Sequence, residues 1–548
     1  MTDQALDGFA VSGEALRAAA DAPRAEDYAA IVAELRPDLR FEFVSPESVG
    51  TASGDGVTVH RVASGDLAAM LECVPPRSLV PVGRVDQHVA DAFAASRAGR
   101  EILFVGKQEV RDVYRWEEGL WRPRPFVVAQ HAFATALSGM EAAAHYLSDE
   151  PVPGAKKMED TERQRGFSIV RYYRGAGQMN SAIGLAKRHR YATPDDLDDH
   201  PGMLNTPRGL VVVGTDEVLP HNPRRLISKR TDGDWDPEIH LPLLDDLYEA
   251  ALPEPDERRL FFQLMGASLL GDDRQPKAIV ILWSDIPHTG KSLIPKLFGA
   301  ALGEGSFGYA KVGADLEGIR ETRHARTHNA TLADARGIRL LTFTEANKDL
   351  DIPGVKRLSG KDVIEARGPY GYPVRYVPQF IAWFSANKMP RFPSDDPAMW
   401  ARLYVFELTR KGLPREEFLT LLTEPLARTA QLAIAARGAR DFLENGLVVP
   451  ASVRERTQQK REESAGIIQE WLDARCEIDP NAVTPTSKLL LSFREFMEGL
   501  EASERPSSTT FGNWLRDHGF ESPKDPVRVD GEGKVRVRKG LRLRAAAV

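Results

Sequence analysis

One short segment carries the residue types that hold a polyphosphate. It is Asp285-Ile-Pro-His-Thr-Gly-Lys-Ser292, and it follows the apolar run Ala278-Ile-Val-Ile-Leu-Trp283. In the pattern G-x-x-x-x-G-K-[ST], backbone N–H groups cradle the phosphates, the lysine reaches the β- and γ-phosphate oxygens, and the hydroxyl holds Mg²⁺. The helix that begins there adds the positive end of its dipole. We therefore predict an ATP site formed by Pro287, His288, Thr289, Gly290, Lys291, Ser292 and Leu293.

The segment departs from that pattern in two respects. Asp285 stands where the pattern has glycine, and it places a carboxylate near the phosphates. Pro295 falls early in the following helix, where we expect it to cost a backbone hydrogen bond. These departures bear on the rate of hydrolysis more than on the fold.

Two further apolar runs end in polar residues that could complete the chemistry. Ile338–Thr344 closes on Glu345, which is predicted to orient the attacking water and to hold Mg²⁺ together with Ser292. Phe380–Ala386 closes on Asn387, which is predicted to sense the γ-phosphate. The alternative for Glu345 is an acidic residue at the end of an ordinary buried parallel strand.

An arginine and a turn follow these runs. Arg402, in Met399-Trp-Ala-Arg-Leu403, is predicted to reach the nucleotide of a neighbouring subunit as an arginine finger. Before it, Pro369, Gly371 and Pro373 mark a tight turn between two extended pieces. Aromatic rings stack on bases and arginines meet phosphates, so this hairpin suits single-stranded DNA, although an ordinary surface hairpin has the same pattern. The predicted DNA-binding residues of this region are Lys356, Lys361, Arg367, Tyr370, Tyr372 and Arg375.

The order of these motifs resembles the phage and plasmid primase–helicases, of the poxvirus and satellite-phage type, which are superfamily 3 helicases within the AAA+ ATPases. The resemblance is carried by Gly290-Lys291-Ser292, Glu345, Lys356 with Ser359-Gly360-Lys361-Asp362, Ala366-Arg367, Phe384-Ser-Ala-Asn387 and Trp400-Ala-Arg402, and upstream by Leu204-Asn-Thr206 and Pro220-His-Asn-Pro223. The chain departs from the family at Asp285, at Thr289, where asparagine is usual, and at Lys361, where glycine is usual.

The resemblance implies a mechanism as well as a fold. It implies a homo-oligomer, a hexameric ring, that hydrolyses ATP with Mg²⁺ between subunits and moves 3′→5′ on single-stranded DNA. The hairpin near Tyr370 and Tyr372 would line the channel of that ring.

Composition bounds the class of protein. The chain has 548 residues, of which 28% are charged and 42% are hydrophobic, as in soluble globular proteins. No secretory signal or membrane-length apolar run is visible, and two cysteines, Cys73 and Cys476, fit a reducing cytoplasm and exclude a cysteine-rich zinc site. We expect a cytoplasmic protein (in the host cytoplasm if phage-encoded) with no membrane partner. The net charge of −7 argues against a generally basic surface, but a ring can confine positive charge to its channel.

The expected fold class is multidomain α/β. A central AAA+ P-loop ATPase with a parallel sheet, 266–430, is preceded by a mixed α/β module, 100–265, and followed by a winged-helix-like domain, 465–548. Residues 1–95 receive no role, and Gly50 to Gly56 is predicted to be a loop. In the last domain Arg536 and Arg538 are predicted to contact DNA, although winged helices also bind proteins.

Two acidic clusters raise a metal hypothesis. Asp232, Asp234 and Asp236 have calcium-loop spacing, but a proline and a leucine stand where such a loop needs glycine and glutamate. The run Asp195-Asp-Leu-Asp-Asp199 follows a proline and is better explained as a solvated acidic loop than as primase carboxylates. No primase active site is predicted.

The favoured function is that of an ATP-dependent replicative DNA helicase of a phage, prophage or plasmid. It would act on single-stranded or forked DNA, with a separate primase or polymerase as a partner. The alternative is a nucleotide-gated DNA-binding or scaffold protein with a weakened ATPase, motivated by Asp285, Thr289 and Pro295. A small-molecule phosphotransferase is disfavoured because the chain continues into a hairpin and a C-terminal domain.

Overall fold

The computed structural model describes residues 25–544 except 55, 64–65, 82–83, 107–109, 147–159, 216, 315–329, 345–351, 368–372, 388, 391, 393–395, 411–413, 500–507, 524 and 530–532. The chain forms two compact units, Met1–Leu197 and Asp198–Val548. The boundary falls inside the stretch 100–265, which the sequence suggests is one module. The predicted domain limits remain predictions. Among the described helices, none has the length and apolarity to cross a bilayer.

The first unit alternates short strands with helices. Its strands are β1 (Leu39–Val44), β2 (Gly50–Gly54), β3 (Val57–Ala63), β4 (Ile102–Gly106), β5 (Val110–Glu117), β6 (Leu120–Arg124) and β7 (Tyr191–Ala192). Its α-helices are Ala25–Leu35, Leu67–Cys73, Asp86–Ala95, Arg97–Arg100, Val127–Tyr146, Asp160–Tyr173 and Ala176–Ala186. Short 3₁₀ turns are Pro46–Ser48, Pro76–Ser78, Lys187–His189 and Pro194–Asp196.

Two sheets organise this unit. One has the order β6-β5-β4-β7 and shares a core with the helices, in which Tyr28, Phe93 and Phe133 are buried. The turn between β5 and β6 has positive φ at Glu118 and Gly119, as a two-residue hairpin turn requires. The other sheet has the order β1-β3-β2. The predicted loop at Gly50 to Gly56 is therefore wrong for most of its length, because β2 pairs antiparallel with β3.

The second unit contains the remaining elements. Its strands are β8 (Met203–Asn205), β9 (Leu210–Val212), β10 (Val218–Leu219), β11 (Ile279–Trp283), β12 (Ala310–Ala314), β13 (Leu340–Phe343), β14 (Ile364–Arg367), β15 (Pro373–Tyr376), β16 (Ile381–Ala386), β17 (Leu403–Glu407), β18 (Cys476–Pro485), β19 (Val527–Val529), β20 (Gly533–Val535) and β21 (Val537–Leu543). Its α-helices are Pro242–Ala251, Pro255–Leu270, Leu293–Leu302, Ala330–Ala333, Ile352–Leu358, Pro397–Trp400, Arg415–Thr423, Pro425–Asn445, Ala451–Arg475, Thr486–Gly499 and Ser508–Asp517, with a 3₁₀ turn at Pro223–Arg225.

A parallel sheet forms the centre of this unit. In its described part, five strands lie in the order β12-β13-β16-β11-β17, and every neighbouring pair is parallel. Val280 and Leu282 face a core shared with the helix Leu293–Leu302, whereas Ile279 and Ile281 face the opposite core. Both faces are covered, which explains why these strands read as continuous apolar runs.

Two glycines let a pair of helices approach closely on one face of the sheet. A Cβ at Gly266, in Pro255–Leu270, would lie 1.9 Å from the backbone nitrogen of Ala439. A Cβ at Gly438, in Pro425–Asn445, would lie 1.9 Å from the carbonyl oxygen of Phe262. The two helices therefore pack backbone to backbone. The predicted limits 266 and 430 fall inside these two helices.

A buried arginine ties the stretch around β8 to the sheet. The Arg339 guanidinium, 1% exposed, donates hydrogen bonds to the carbonyl oxygens of Met203 and Leu269 at 3.2 Å each and to the side chain of Gln379 at 2.6 Å. Burial lowers the pKa of Arg339. The motif residue Asn205 is also buried, and its side chain donates to the carbonyl oxygen of Lys229 at 3.0 Å. Arg339 and Asn205 thus have structural roles.

The long helix Ala451–Arg475 is anchored on the sheet. The Arg456 guanidinium contacts the Glu257 carboxylate at 3.0 Å and the Glu407 carboxylate at 3.6 Å, and Glu257 is 5% exposed. The Lys460 ammonium lies 4.5 Å from the centroid of the Trp283 ring. The charged stretch from 454 to 463 is therefore helical.

The C-terminal elements enclose a separate small core. Trp471, Phe493 and Phe511 pack together, with ring centroids 5.2 to 5.5 Å apart. β19 pairs antiparallel with β20, and β18 pairs antiparallel with β21. β18 is not predicted by the pattern of the sequence. The assignment of a winged helix remains a prediction.

Candidate nucleotide site

The segment predicted to bind phosphates lies at the carboxyl end of β11. The strand ends at Trp283, and Ser284 fixes the start of the turn. The Ser284 hydroxyl donates to the carbonyl oxygen of Leu408 at 2.6 Å and accepts a hydrogen bond from the N–H of Ile286 at 3.2 Å. In open parallel sheets, ligands bind beyond the carboxyl ends of the strands, so this edge is the expected location of a site.

Two residues of the turn have a left-handed backbone conformation before the helix begins. His288 has φ +64° and Gly290 has φ +92°. The carbonyl oxygen of Gly290 accepts hydrogen bonds from the N–H groups of Leu293 and Ile294, at 2.8 and 2.9 Å. A side chain at position 290 would be strained, which is a physical reason for glycine there. Pro287 and His288 are exposed, whereas Lys291 and Ser292 are partly buried at the start of the helix.

Thr289 lies inside this turn with its side chain buried. Its exposed fraction is 1%, and within the described part of the chain its hydroxyl has no hydrogen-bond partner. Buried polar groups are nearly always paired, and the Thr289 hydroxyl is therefore available as a donor to a ligand atom that enters the turn. A phosphate oxygen is an acceptor of the required kind, and the residues present therefore fit a bound polyphosphate.

Pro295 removes one helical hydrogen bond, as the sequence predicts, but another residue replaces it. It is the third residue of Leu293–Leu302 and lacks the N–H that would bond the carbonyl oxygen of Lys291. The Ser385 hydroxyl, from the neighbouring strand β16, donates to that carbonyl at 2.8 Å. The predicted loss of a hydrogen bond is therefore compensated across the sheet.

Asn387 lies next to the start of the turn. β11 and β16 are aligned so that Trp283 pairs with Ala386, and the N–H of Ser284 donates to the carbonyl oxygen of Ala386 at 3.3 Å. Asn387 is exposed at this edge. β13 ends at Phe343 beside Phe384 and therefore runs to the same edge. Glu345, predicted to activate water and hold Mg²⁺, lies outside the described residues.

Arg402 lies at the opposite edge of the sheet, where the amino ends of the strands meet. It precedes β17, whose residue Leu403 pairs with Ile279 at the start of β11. Five residues at about 3.3 Å each put it roughly 16 Å from the phosphate turn of its own chain. Its guanidinium donates to the carbonyl oxygen of Lys356 and to the hydroxyl of Ser359, both at 3.1 Å.

Two lysines predicted to bind DNA lie near this second edge and contact acidic partners. The Lys356 ammonium pairs with the Asp396 carboxylate. The Lys361 ammonium donates to the carbonyl oxygen of Asp273 at 2.7 Å and lies 3.5 Å from its carboxylate. Both lysines therefore already have ionic partners within the chain.

The predicted hairpin is present as β14 and β15. Ile364 and Tyr376 pair and face the core, whereas Arg367 and Arg375 lie on the exposed face. The alternation of buried and exposed residues in β14 thus presents both arginines on one side. Tyr370 and Tyr372, at the tip, lie outside the described residues.

The two C-terminal arginines predicted to bind DNA have different environments. Arg536 is exposed. Arg538 is instead 8% exposed, and its guanidinium donates to the carbonyl oxygens of Phe520 and Gly512 at 2.8 and 2.5 Å. Its guanidinium is used inside the C-terminal core, so the prediction that Arg538 contacts DNA does not fit its position.

The acidic clusters have structural roles. Asp196 caps the 3₁₀ turn that follows Thr193, accepting from the backbone N–H of Thr193 at 2.6 Å. Asp234 accepts from the N–H groups of Arg208 and Trp235 at 3.1 and 2.8 Å. Across the described residues, no group of three or more His, Cys, Asp or Glu side chains is arranged to hold a metal ion.

Sequence reasoning missed the two serines that fix the turn. Ser284 and Ser385 are both less than 5% exposed, and each bonds a carbonyl oxygen distant in sequence. Pro295 was the indirect sign of a residue such as Ser385. A proline at the third helical position leaves a carbonyl oxygen without its helical donor, and that oxygen needs another one.

Comparison with known proteins supports the predicted resemblance. A family model described as "D5 N terminal like" matches residues 90–256, which include the end of the first unit and the beginning of the second. A protein of Acanthamoeba polyphaga mimivirus named "Putative helicase L207/L206" is 28% identical over 230 residues, which are 38% of this chain. The match spans 23% of the mimivirus protein's length. The resemblance to phage and viral primase–helicases is thus confirmed.

Solved structures give weaker matches. The apo form of the NrS-1 C-terminal region is 10% identical with a TM-score of 0.40, over 80% of this chain and 97% of that one. A JCV helicase with a bound small molecule is 12% identical with a TM-score of 0.24, over 58% of this chain and 82% of that one.

Proposed function

We propose that this protein is an ATP-dependent DNA helicase of the phage and viral primase–helicase type, built on an AAA+ ATPase core. The observation that carries the proposal is the turn between β11 and the helix Leu293–Leu302. It combines a glycine at φ +92°, a buried unpaired hydroxyl at Thr289, and Lys291 and Ser292 at the start of the helix. The residue types and the position at the sheet edge are those that a nucleoside triphosphate needs.

Each predicted site residue has a distinct role in the proposal. Lys291 would neutralise charge on the β- and γ-phosphate oxygens. Ser292 and Glu345 would hold Mg²⁺, which supplies charge stabilisation when it is bound. Glu345 would also orient the attacking water, and Asn387 would contact the γ-phosphate.

The position of Arg402 favours action between subunits. The backbone of Arg402 lies roughly 16 Å from its own phosphate turn, and its guanidinium is directed to Lys356 and Ser359, so it does not reach a nucleotide bound to the same chain. A second copy whose phosphate turn faces this edge would bring the two together. We therefore propose a homo-oligomeric ring, with six subunits as the resemblance implies, and ATP hydrolysed at the interfaces.

DNA contact is proposed at the exposed face of the hairpin. Arg367 and Arg375 lie on this face, and both can meet phosphates of a single strand. For Lys356 and Lys361 to contact DNA, a phosphate must replace the carboxylates of Asp396 and Asp273 as their ionic partners. Arg536 is the proposed contact in the C-terminal region. The proposed direction of movement is 3′→5′.

The primary test is ATP hydrolysis by the purified chain, with and without single-stranded DNA. Hydrolysis should rise with DNA and be abolished in Lys291→Ala, which removes the phosphate-binding ammonium. Strand displacement should then require a 3′ single-stranded tail, and a duplex with a 5′ tail is the matched control. Unwinding from the 5′ tail alone would contradict the proposed direction.

A mixing experiment tests the role of Arg402. Arg402→Ala should retain nucleotide binding but reduce turnover by about 10³-fold. Mixed with Lys291→Ala, it should regain partial activity, because some interfaces then contain an intact Arg402 and an intact Lys291. Two folded variants that assemble together and never complement would show that Arg402 does not act across an interface.

A second candidate function rests on Asp285. This carboxylate is exposed in the turn and repels a polyphosphate. The alternative is a scaffold in which ATP controls assembly on DNA and hydrolysis is weak. ATP-dependent assembly without strand displacement would favour it.

A further inference from the structure

Three residues on two elements form a link that no motif describes. Pro295 has no N–H, the carbonyl oxygen of Lys291 lacks its helical donor as a result, and the Ser385 hydroxyl donates to that carbonyl at 2.8 Å. Ser385 is 4% exposed, so water does not readily replace it. The residue whose side chain is assigned to the phosphates is thus attached through its backbone to strand β16.

The hydrogen bond between Ser385 and Lys291 lies close to Asn387, another residue of the predicted site. Ser385 lies two residues before Asn387, at the end of β16 that borders the phosphate turn. A shift of β16 along its axis would move the Ser385 hydroxyl away from the Lys291 carbonyl. The Ser385 hydrogen bond therefore adds a direct contact between the backbone of Lys291 and the strand that leads to Asn387, beside the pairing of β11 with β16.

We propose that Ser385 is a positioning residue for Lys291 and that Pro295 creates its role. In the absence of Pro295 the helix supplies its own donor, and the serine becomes dispensable. This inference rests on the proposed nucleotide site, and it assigns Ser385 no contact with the nucleotide itself.

The test is a double-mutant cycle on the full-length chain with Ser385→Ala, Pro295→Ala and the double variant. The first readout is the Kd for a fluorescent ATP analogue with Mg²⁺. Ser385→Ala should weaken binding about five- to tenfold, because the partly buried carbonyl of Lys291 is left without a donor and the lysine is no longer held in place. With alanine at 295, a backbone N–H is available, so adding Ser385→Ala should change the Kd less than twofold.

Two variants serve as controls. Ser385→Thr keeps the hydroxyl and should bind nearly as tightly as the native chain. Ser268→Ala removes another fully buried serine hydroxyl, which bonds the carbonyl oxygen of Leu264 within its own helix. It should leave the Kd unchanged, which excludes a general effect of removing buried hydroxyls.

A second cycle, in the midpoint of thermal unfolding without nucleotide, separates the possible failures. Coupling in both cycles supports the proposal. Coupling in unfolding but not in the Kd would overturn it, since Ser385 would then be merely structural, and no coupling in either would show that the hydrogen bond does not form. If the native chain binds no nucleotide, both the proposed function and the positioning role of Ser385 are contradicted. The unfolding cycle then still shows whether the hydrogen bond between Ser385 and Lys291 forms.

Discussion

At the scale of single residues, the predicted nucleotide site contains a buried hydroxyl without a hydrogen-bond partner and residues with unfavourable backbone conformations. The Thr289 hydroxyl is buried and unpaired among the described residues, and two residues in the same turn have left-handed backbone. Such features are costly in an ordinary loop. Their concentration between β11 and one helix supports the proposal that a nucleotide binds at this turn.

Thr289→Val should therefore change stability and binding in opposite directions. Valine has nearly the same shape and buries no unpaired hydroxyl, so the chain without nucleotide should gain about 1 kcal/mol in the free energy of unfolding. The affinity for MgATP should fall about fivefold, because a phosphate oxygen loses a donor. Denaturant unfolding and nucleotide titration check the two effects, and a loss of stability without nucleotide would contradict the assignment.

Asp285→Asn should strengthen nucleotide binding. The exposed carboxylate stands in the turn that receives the phosphates, and removing one negative charge there should tighten MgATP about two- to fivefold at low salt. The gain should shrink as ionic strength rises, since exposed charges are screened. Titrations at two salt concentrations measure this, with Glu416→Gln, an exposed acidic residue in the helix Arg415–Thr423, as the control. An equal gain at both salt concentrations would point to a cause other than charge.

At the scale of elements, apolar runs predict strands well when both faces of the sheet are covered. β11, β13 and β16 were anticipated because each is buried on both sides and bounded by polar residues. Their order in the sheet was not, because it depends on connections between them. The Ser385 contact likewise joins two elements that are far apart in sequence.

Strands with one exposed face and irregular pairing were harder to recognise. β18 contains Asp479 and Pro480, which favour a turn, and its pairing with β21 shifts register between Ile478 and Val483. The irregularity accommodates the proline. β2, Gly50–Gly54, is short and contains two glycines, so its sequence predicts a loop, and only its pairing with β3 makes it a strand.

Arg538 and Arg536 should separate stability from DNA binding. Arg538→Met removes the donors of two backbone carbonyls in the C-terminal core and should cost about 2–3 kcal/mol of unfolding free energy. Arg536→Met should leave stability unchanged within about 0.5 kcal/mol, because Arg536 is exposed. If Arg536 contacts DNA, its loss should also reduce the salt dependence of DNA binding by about one unit of slope. Equal stability losses in both variants would contradict the structural distinction.

At the scale of the whole molecule, the two units carry one cysteine each in contrasting environments. Cys73 is exposed, whereas Cys476 is buried in the C-terminal core, and burial raises the pKa of its thiol to about 12. A raised pKa keeps the thiol protonated and unreactive at pH 8.

Thiol labelling of the native chain at pH 8 should therefore modify Cys73 rapidly and Cys476 only when the C-terminal core opens. In denaturant both should react, and peptide mass spectrometry identifies each site. Arg538→Met should speed the labelling of Cys476 and leave that of Cys73 unchanged. Rapid modification of Cys476 in the native chain would show that the core around Trp471 is not closed.

The close packing of Gly266 against Gly438 also governs when the central sheet can become stable during synthesis. One helix of the pair leaves the ribosome before β11 and the other only after β17, so the face that both helices cover lacks the second helix while all five strands emerge. The nascent chain must hold a parallel sheet with one incompletely covered apolar face until Pro425–Asn445 arrives, and such a species is prone to aggregate. Any expression product that ends before residue 445 would remain in that state.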